Sequence, residues 1–123
     1  RVNPSGKLTE TWPLSYADVV SKETFGKRNV EYREGIYVGY RYYDKADKPV
    51  RYPFGHGLSY TSFTYSDLLI DGRTVRFSIT NSGAVSGSEV AQLYISPPET
   101  GLHRPRRDLP YAGGKQNRGN KAG

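Results

Sequence analysis

From residue 61 onward, polar and apolar positions alternate with a period of two. Phe63 and Tyr65 are separated by Ser62, Thr64 and Ser66, which predicts a strand over 61–69. Asp71-Gly72 then supplies a hairpin signal. Residues 74–80 put Val75, Phe77 and Ile79 on one face and Arg76, Ser78 and Thr80 on the other. Asn81-Ser82-Gly83 turns the chain, and 89–96 reads as a third strand with Ala91, Leu93 and Ile95 on one side. Pro97-Pro98 ends it, because proline cannot donate to a ladder. The three strands are expected to form one antiparallel sheet whose apolar face needs a second layer.

Upstream the pattern is irregular. Asn3-Pro4-Ser5-Gly6 is a turn signal, and Pro13 interrupts any regular element around Trp12. Ser15 is placed to cap a short helix running to Val19 and Val20. Residues 37–65 hold nine of the sixteen aromatic side chains, from Tyr37 and Tyr40 to Phe63 and Tyr65. Such a density marks a packing centre or a ligand wall, with packing favoured. Residues 36–43 fit a strand or a short helix by pattern alone, whereas Pro53, Gly55 and Gly57 force a loop after Tyr52. The expected fold is mainly β: a partial immunoglobulin-like sandwich, preceded by an irregular, Tyr-rich segment with short helices. A complete sandwich needs about 100 residues and about 7 strands, so the roughly 50 residues available here read as unfinished.

Composition sharpens this picture at three points. The chain has 123 residues, room for one domain of ordinary size, and no apolar run long enough to span a bilayer. Cys is zero, which excludes disulfides and thiolate metal sites; Met is also zero and the chain opens on Arg1, which reads as a processed product or a piece of something longer. The net charge of +6 is uneven, with +1 on residues 1–101 and +5 on 102–123. A basic tail suits nucleic acid or an anionic surface and suits a solvated end as well. Tyr111 is the one aromatic of that tail that could stack on a base, so nucleic acid is disfavoured. Residues 112–123 contain no large apolar side chain and are expected to be disordered.

Four ordered motifs carry a resemblance. They are Asn3-Pro4-Ser5-Gly6-Lys7-Leu8 with Glu10-Thr11-Trp12-Pro13; Tyr32 to Asp44 (YREGIYVGYRYYD); Tyr52 to Thr61 (YPFGHGLSYT); and Gly87 to Tyr94 (GSEVAQLY) with Arg104-Pro105 and Leu109. Together the chain resembles the C-terminal region of family 3 glycoside hydrolases of the β-glucosidase and β-xylosidase type, over roughly residues 2–109. The resemblance implies that 1–58 is the C-terminal end of an α/β sandwich domain with its linker, that 59–111 is an incomplete fibronectin type III-like domain, and that 112–123 is a disordered basic tail. It also implies a parent that hydrolyses terminal β-glycosidic bonds of oligosaccharides with retention and without metal or organic cofactor. In the family the nucleophilic Asp lies on an N-terminal barrel and the acid/base Glu upstream of the Asn-Pro-Ser-Gly motif. Neither maps onto a residue here, so no catalytic residue is expected in this chain.

A retaining glycosidase works with two carboxyl groups ~5–5.5 Å apart. Glu10, Asp18, Glu23, Glu31, Glu34, Asp44 and Asp47 are the candidates by type. Glu34, beside the aromatic cluster, is the one picked out for substrate contact, although fixing its loop is the favoured role. His56, between Gly55 and Gly57, is the second candidate to line a sugar site, against a structural hydrogen bond in a tight loop. Trp12, Tyr43, Arg104 and Arg106 are expected to contact the upstream catalytic domains. His103 lies far along the chain, and one nearby His does not make a metal site. Self-association through the uncovered sheet is expected, and membrane partners are not. A stand-alone carbohydrate-binding or adhesion β-module is the alternative function. Location stays open between secreted or periplasmic and cytoplasmic.

Overall fold

The computed structural model describes residues 2–98 and 101–117, with the backbone alone for 111–117. The elements are β1 (Trp12–Pro13), α1 (Tyr40–Lys45), β2 (Val50–Tyr52), β3 (Phe63–Asp71), β4 (Thr74–Asn81), β5 (Gly87–Ile95) and β6 (Asp108–Asn117), with a short 3-10 turn at Tyr16–Asp18. The fold is mainly β, in short antiparallel sheets with little helix. Three two-stranded sheets pair β1 with β2, β3 with β4, and β5 with β6. The single sheet expected from 61–69, 74–80 and 89–96 is therefore corrected. The third strand leaves the hairpin and takes β6 as its partner, because three more residues, Ala84 to Ser86, separate the turn Asn81-Ser82-Gly83 from β5 in place of a tight reversal. Alternation along each strand is a local property and does not specify which strands pair.

The chain divides into two compact units. Among the described residues, one gathers 2–6, 57–91 and 113–117, and the other 7–56 and 92–112. Residues 92–112 thus group with the Tyr-rich segment and not with 59–91.

In the first unit the β3–β4 hairpin follows the sequence pattern closely. Phe63 faces Asn81, Tyr65 faces Ile79, Ile70 faces Val75 and Asp71 faces Thr74. The turn residues are Gly72 and Arg73, and Gly72 has φ of 56° while Arg73 does not enter the left-handed region, the arrangement of a type II′ turn. The alternation is not continuous, because a bulge falls between Ser66 and Leu69 and Asp67 takes φ of 54°. This extra residue brings Ile70 onto the face of Tyr65, Val75 and Ile79, where strict alternation would have placed Leu69. Tyr65 and Phe77 stack on that face with centroids 6.1 Å apart. The face is still open to solvent at Tyr65, Leu68, Ile70 and Phe77.

Polar side chains tie this unit together. Asn3 Oδ1 accepts from Tyr60 N at 2.9 Å and from Ser59 Oγ at 3.1 Å, and its Nδ2 donates to Ser86 O at 3.2 Å. The first residue of the Asn-Pro-Ser-Gly motif thus joins three segments distant in sequence. Thr61 Oγ1 donates to Asn81 Oδ1 at 2.6 Å, and Asn81 Nδ2 donates to Val85 O at 2.8 Å. Gly83 packs so closely that a Cβ there would meet Ser62 N at 3.0 Å and Thr61 Cα at 3.2 Å, so no larger residue fits.

In the second unit β1 pairs with β2 irregularly, Trp12 with Tyr52 and Pro13 with Val50. Ser15 does not cap a helix. Its Oγ donates to Asp18 Oδ2 at 2.9 Å, and the turn ends at Asp18 rather than running to Val20. Of residues 36–43, those from Tyr40 on begin the short helix α1, which Gly39 opens with φ of 57°, a conformation that suits glycine. The loop after Tyr52 forms as expected, closed by Gly55 N donating to Leu8 O and Leu8 N donating to His56 O, both at 2.8 Å. Among the described residues, Tyr43 is the one large apolar side chain that is buried, 8% exposed. Its hydroxyl donates to Asp18 O at 3.3 Å, and its ring meets Tyr42 edge-on at 5.3 Å.

β5 shows none of the alternation expected of Ala91, Leu93 and Ile95. Residues 88–94 are all half-buried, Gly87 is buried, and Ile95 is exposed. Both of its faces are partly covered. Residues 112–117, which composition assigned to a tail, continue β6, since ladder bonds involve the backbone and need no apolar side chain. Residues 118–123 lie outside the described residues.

Two outcomes follow. Asn3→Ala should cost about 1–3 kcal/mol, as expected for loss of several polar contacts at one part-buried side chain, and should release the Tyr60 amide to hydrogen exchange. Tyr65 should titrate at about 12, because partial desolvation and then the hydrogen bond to Glu89 Oε1 at 3.1 Å disfavour its phenolate. The fold favours the neutral phenol, so this stabilisation is complete below the ordinary value of ~10 and is lost as pH rises through the folded value. Ultraviolet titration checks the value, and Glu89→Gln should lower it only in part.

Candidate functional site

The chemistry-bearing side chains concentrate in the second unit, around α1. Arg41 and Asp44 lie three positions apart on α1 and so share one side of it, and Asp47 follows in the turn after the helix. Each meets one residue of the 106–108 segment. Arg41 Nη2 lies 2.8 Å from Asp108 Oδ1. Asp44 accepts from Arg107 Nε at 2.6 Å and from its Nη2 at 3.1 Å. Asp47 accepts from both terminal nitrogens of Arg106, at 2.5 and 2.6 Å. Two of the three pairs are therefore two-pronged carboxylate–guanidinium contacts. Asp47 has φ of 50°, which aspartate tolerates better than most residues.

Aromatic rings support the same place. The Arg107 guanidinium sits 4.9 Å from the Tyr94 ring centroid. Tyr94 meets Tyr40 edge-on at 6.0 Å, and Tyr40 packs on Phe54 at 5.0 Å. The Tyr40 hydroxyl accepts from Leu109 N at 3.0 Å. A cleft of about 520 Å³ lies here, lined by Tyr43, Asp44, Asp47, Lys48, Arg106 and Arg107 among others.

The electrostatics argue against Asp47 as a general acid. The Arg106 guanidinium, by hydrogen bonding and by charge, holds the Asp47 carboxyl below the usual carboxylate range. A general acid needs the opposite direction, toward neutrality. Arg106 is the counter-ion that favours the ionised form of Asp47. Among the described residues, no three His, Cys, Asp or Glu side chains gather as metal ligands.

The residues singled out in the sequence fall in separate places. Glu34 is half-buried and lines a second cavity of about 270 Å³ with Arg33, Tyr37, Tyr42 and Lys45. The Tyr37 hydroxyl is enclosed and has no hydrogen-bond partner, while Tyr37 N donates to Glu34 O at 3.0 Å. His56 lines neither cavity; its ring packs on Tyr52 at 4.9 Å. Trp12 is 46% exposed, packs edge-on against Tyr52 at 5.9 Å and donates from Nε1 to Glu10 at 3.0 Å. Tyr43 is enclosed within its own unit, Arg104 is half-buried beside the buried Pro105, and Arg106 is paired with Asp47. The Arg41, Asp44 and Asp47 series against 106–108 was not anticipated. Its signal was present as charges at a spacing of three followed by a compact Arg-Arg-Asp run.

No protein-family model matches the chain. Individual proteins do. Over 112 residues, 88% of this chain, it is 50% identical to the probable β-glucosidase K of Emericella nidulans. It is 42% identical over 118 residues to the thermostable β-glucosidase B of Acetivibrio thermocellus. Among solved structures, β-glucosidase 3B from Thermotoga neapolitana superposes with a TM-score of 0.87 at 41% identity over 95% of this chain. A family 3 β-glucosidase from Bifidobacterium adolescentis gives 0.86 at 35% over 98%. The chain is homologous to a part of the family 3 β-glucosidases. It spans 13% of the Emericella nidulans relative and 18% of the Thermotoga neapolitana chain. The homologous part is thus a small region of larger, multidomain proteins.

The pairing at Asp47 predicts a titration. Its carboxyl should protonate below the ordinary aspartate range, and Arg106→Gln should return the midpoint upward. Since the folded value is lowered, the pair contributes above the ordinary value and is lost as pH falls through the lowered one. Carboxyl ¹³C chemical shifts followed through acid read this directly.

Proposed function

We propose that this chain serves as a non-catalytic, structural segment of a larger family 3 β-glucosidase. The parent hydrolyses terminal β-glycosidic bonds of oligosaccharides with retention, and its two catalytic carboxylates lie on residues outside this chain. The observation that carries the reading is the superposition on β-glucosidase 3B from Thermotoga neapolitana, which takes in 95% of this chain and 18% of that one. The site itself supports it: the Asp47 carboxylate in the main cleft is neutralised by an arginine and shifted away from acid catalysis.

In this reading β3 to β6 are the opening strands of a fibronectin type III-like sandwich, the hairpin contributing to one layer and the β5–β6 pair to the other. Residues 7–56 then close the preceding α/β domain. Trp12, exposed at 46%, is the side chain we assign to contact with the upstream catalytic domains. Tyr43 and Arg106 act in packing and pairing within their unit. Glu34 and His56 shape the rim of the parent's sugar site from separate loops.

A segment exchange tests this. Replacing the corresponding region of the Thermotoga neapolitana enzyme with residues 2–117 should preserve hydrolysis of an aryl β-glucoside to within about tenfold, a barrier change of ~1.4 kcal/mol. The chain alone should show no turnover. An inactive but folded chimera would refute the assignment, as would turnover by the chain alone that Glu34→Gln abolishes.

A further inference from the structure

The three ion pairs between the helix region and the 106–108 segment follow a rule of order. Read forward along the helix and into the turn that follows it, the signs run plus, minus, minus at Arg41, Asp44 and Asp47. Read backward along the segment, they run minus, plus, plus at Asp108, Arg107 and Arg106. Every step of three residues on one side matches a step of one residue on the other, so the two series meet in antiparallel register. Shifting the segment by one residue breaks this register. Moving it one way sets Arg107 against Arg41; moving it the other way sets Asp108 against Asp44. Like charges then oppose each other.

Besides these pairs, the segment is held at its far end, where Asp108 and Leu109 open β6 and join its sheet with β5. Arg106, Arg107 and Asp108 are exposed residues, with the buried Pro105 before them and the half-buried Leu109 after them. Beyond the ion pairs and that sheet, the Arg107–Tyr94 contact and the Leu109 N–H to the Tyr40 hydroxyl attach it. Exposed pairs are screened by salt, with a Debye length of about 10 Å at 0.1 M and 3 Å at 1 M.

We propose that residues 105–109, the lead-in to β6 and its first two residues, form a charge-coded strap over the α1 cleft, seated by the order of its signs and lifted by ionic strength as that end of the β5–β6 sheet frays, while the β3–β4 hairpin stays formed. Arg106 and Arg107 form a wall of that cleft, so lifting the strap uncovers the carboxylates of Asp44 and Asp47. The device is a property of the second unit and is independent of the enzymatic reading above.

Hydrogen exchange on the full chain at fixed pH tests it, with the Leu109 amide as reporter and the β4 amides as internal reference. From 0.05 to 1 M NaCl, Leu109 protection should fall roughly fivefold or more, as the pairs are screened, while β4 holds. At low salt, Arg41→Asp alone and Asp108→Arg alone should each lower Leu109 protection, and the double exchange should restore most of it. This pair is chosen because neither residue needs a left-handed backbone, as Asp47 does. Absent protection at low salt, a loss shared equally by β4, or a double variant no better than the single ones would overturn the proposal.

Discussion

Scarcity of buried apolar surface governs this molecule. Tyr43 is the one large apolar side chain buried among the described residues, while Leu68, Ile70 and Leu58 stand in solvent. Burial of apolar area is normally the main favourable term in folding, so its shortage shifts weight onto other contacts. Here these are polar side chains that bridge distant segments, such as Asn3 and Thr61, and aromatic rings that meet edge to face around Tyr40. Such contacts are directional. They fix geometry well, but each adds little net stability.

The same constraint explains the division of labour between the two units. The first is organised by backbone pairing in the hairpin and by amide and hydroxyl side chains at its turns. The second is organised around a short helix with rings on one side and charges on another. A six-residue helix is too short to persist on its own in water. Its order therefore comes from what packs on it, which is why charged partners cluster there.

Legibility in the sequence tracked the range of the interactions. The β3–β4 hairpin was readable because alternation and the Asp71-Gly72 signal act within a few residues, and the apolar face of Val75, Phe77 and Ile79 matches the register found. The partner of β5 was not readable, since nothing in Gly87–Ile95 states that its ladder goes to residues beyond Pro98. Residues 112–117 misled because composition reports on side chains, whereas β6 is built from backbone bonds. Ser15 looked like a cap by type, but Asp18 took its hydroxyl. At the candidate site, Glu34 and His56 were visible as isolated chemistry, and the charge series around α1 went unseen because half of it lies about sixty residues away. The motifs behind the family resemblance are a different kind of signal. Their glycines and asparagines sit where the chain bends or is bridged: Asn3 as a joint, Gly55 at φ of 82°, Gly87 buried.

The bulge at Asp67 gives β3 a change of phase. Before it, odd-numbered residues share a face with Val75 and Ile79; after it, even-numbered ones do. In an ordinary strand, losing one residue inverts everything beyond the gap. In β3 the residues between Ser66 and Leu69 already hold one more than the partner strand requires, so a deletion there would convert the irregular ladder into a regular one and leave both flanking registers in place. The hairpin thus contains one short stretch that can absorb an indel, bounded on both sides by positions that cannot. Length variation in this hairpin should therefore be confined to Asp67 and Leu68, and to the solvent-facing turn at Gly72.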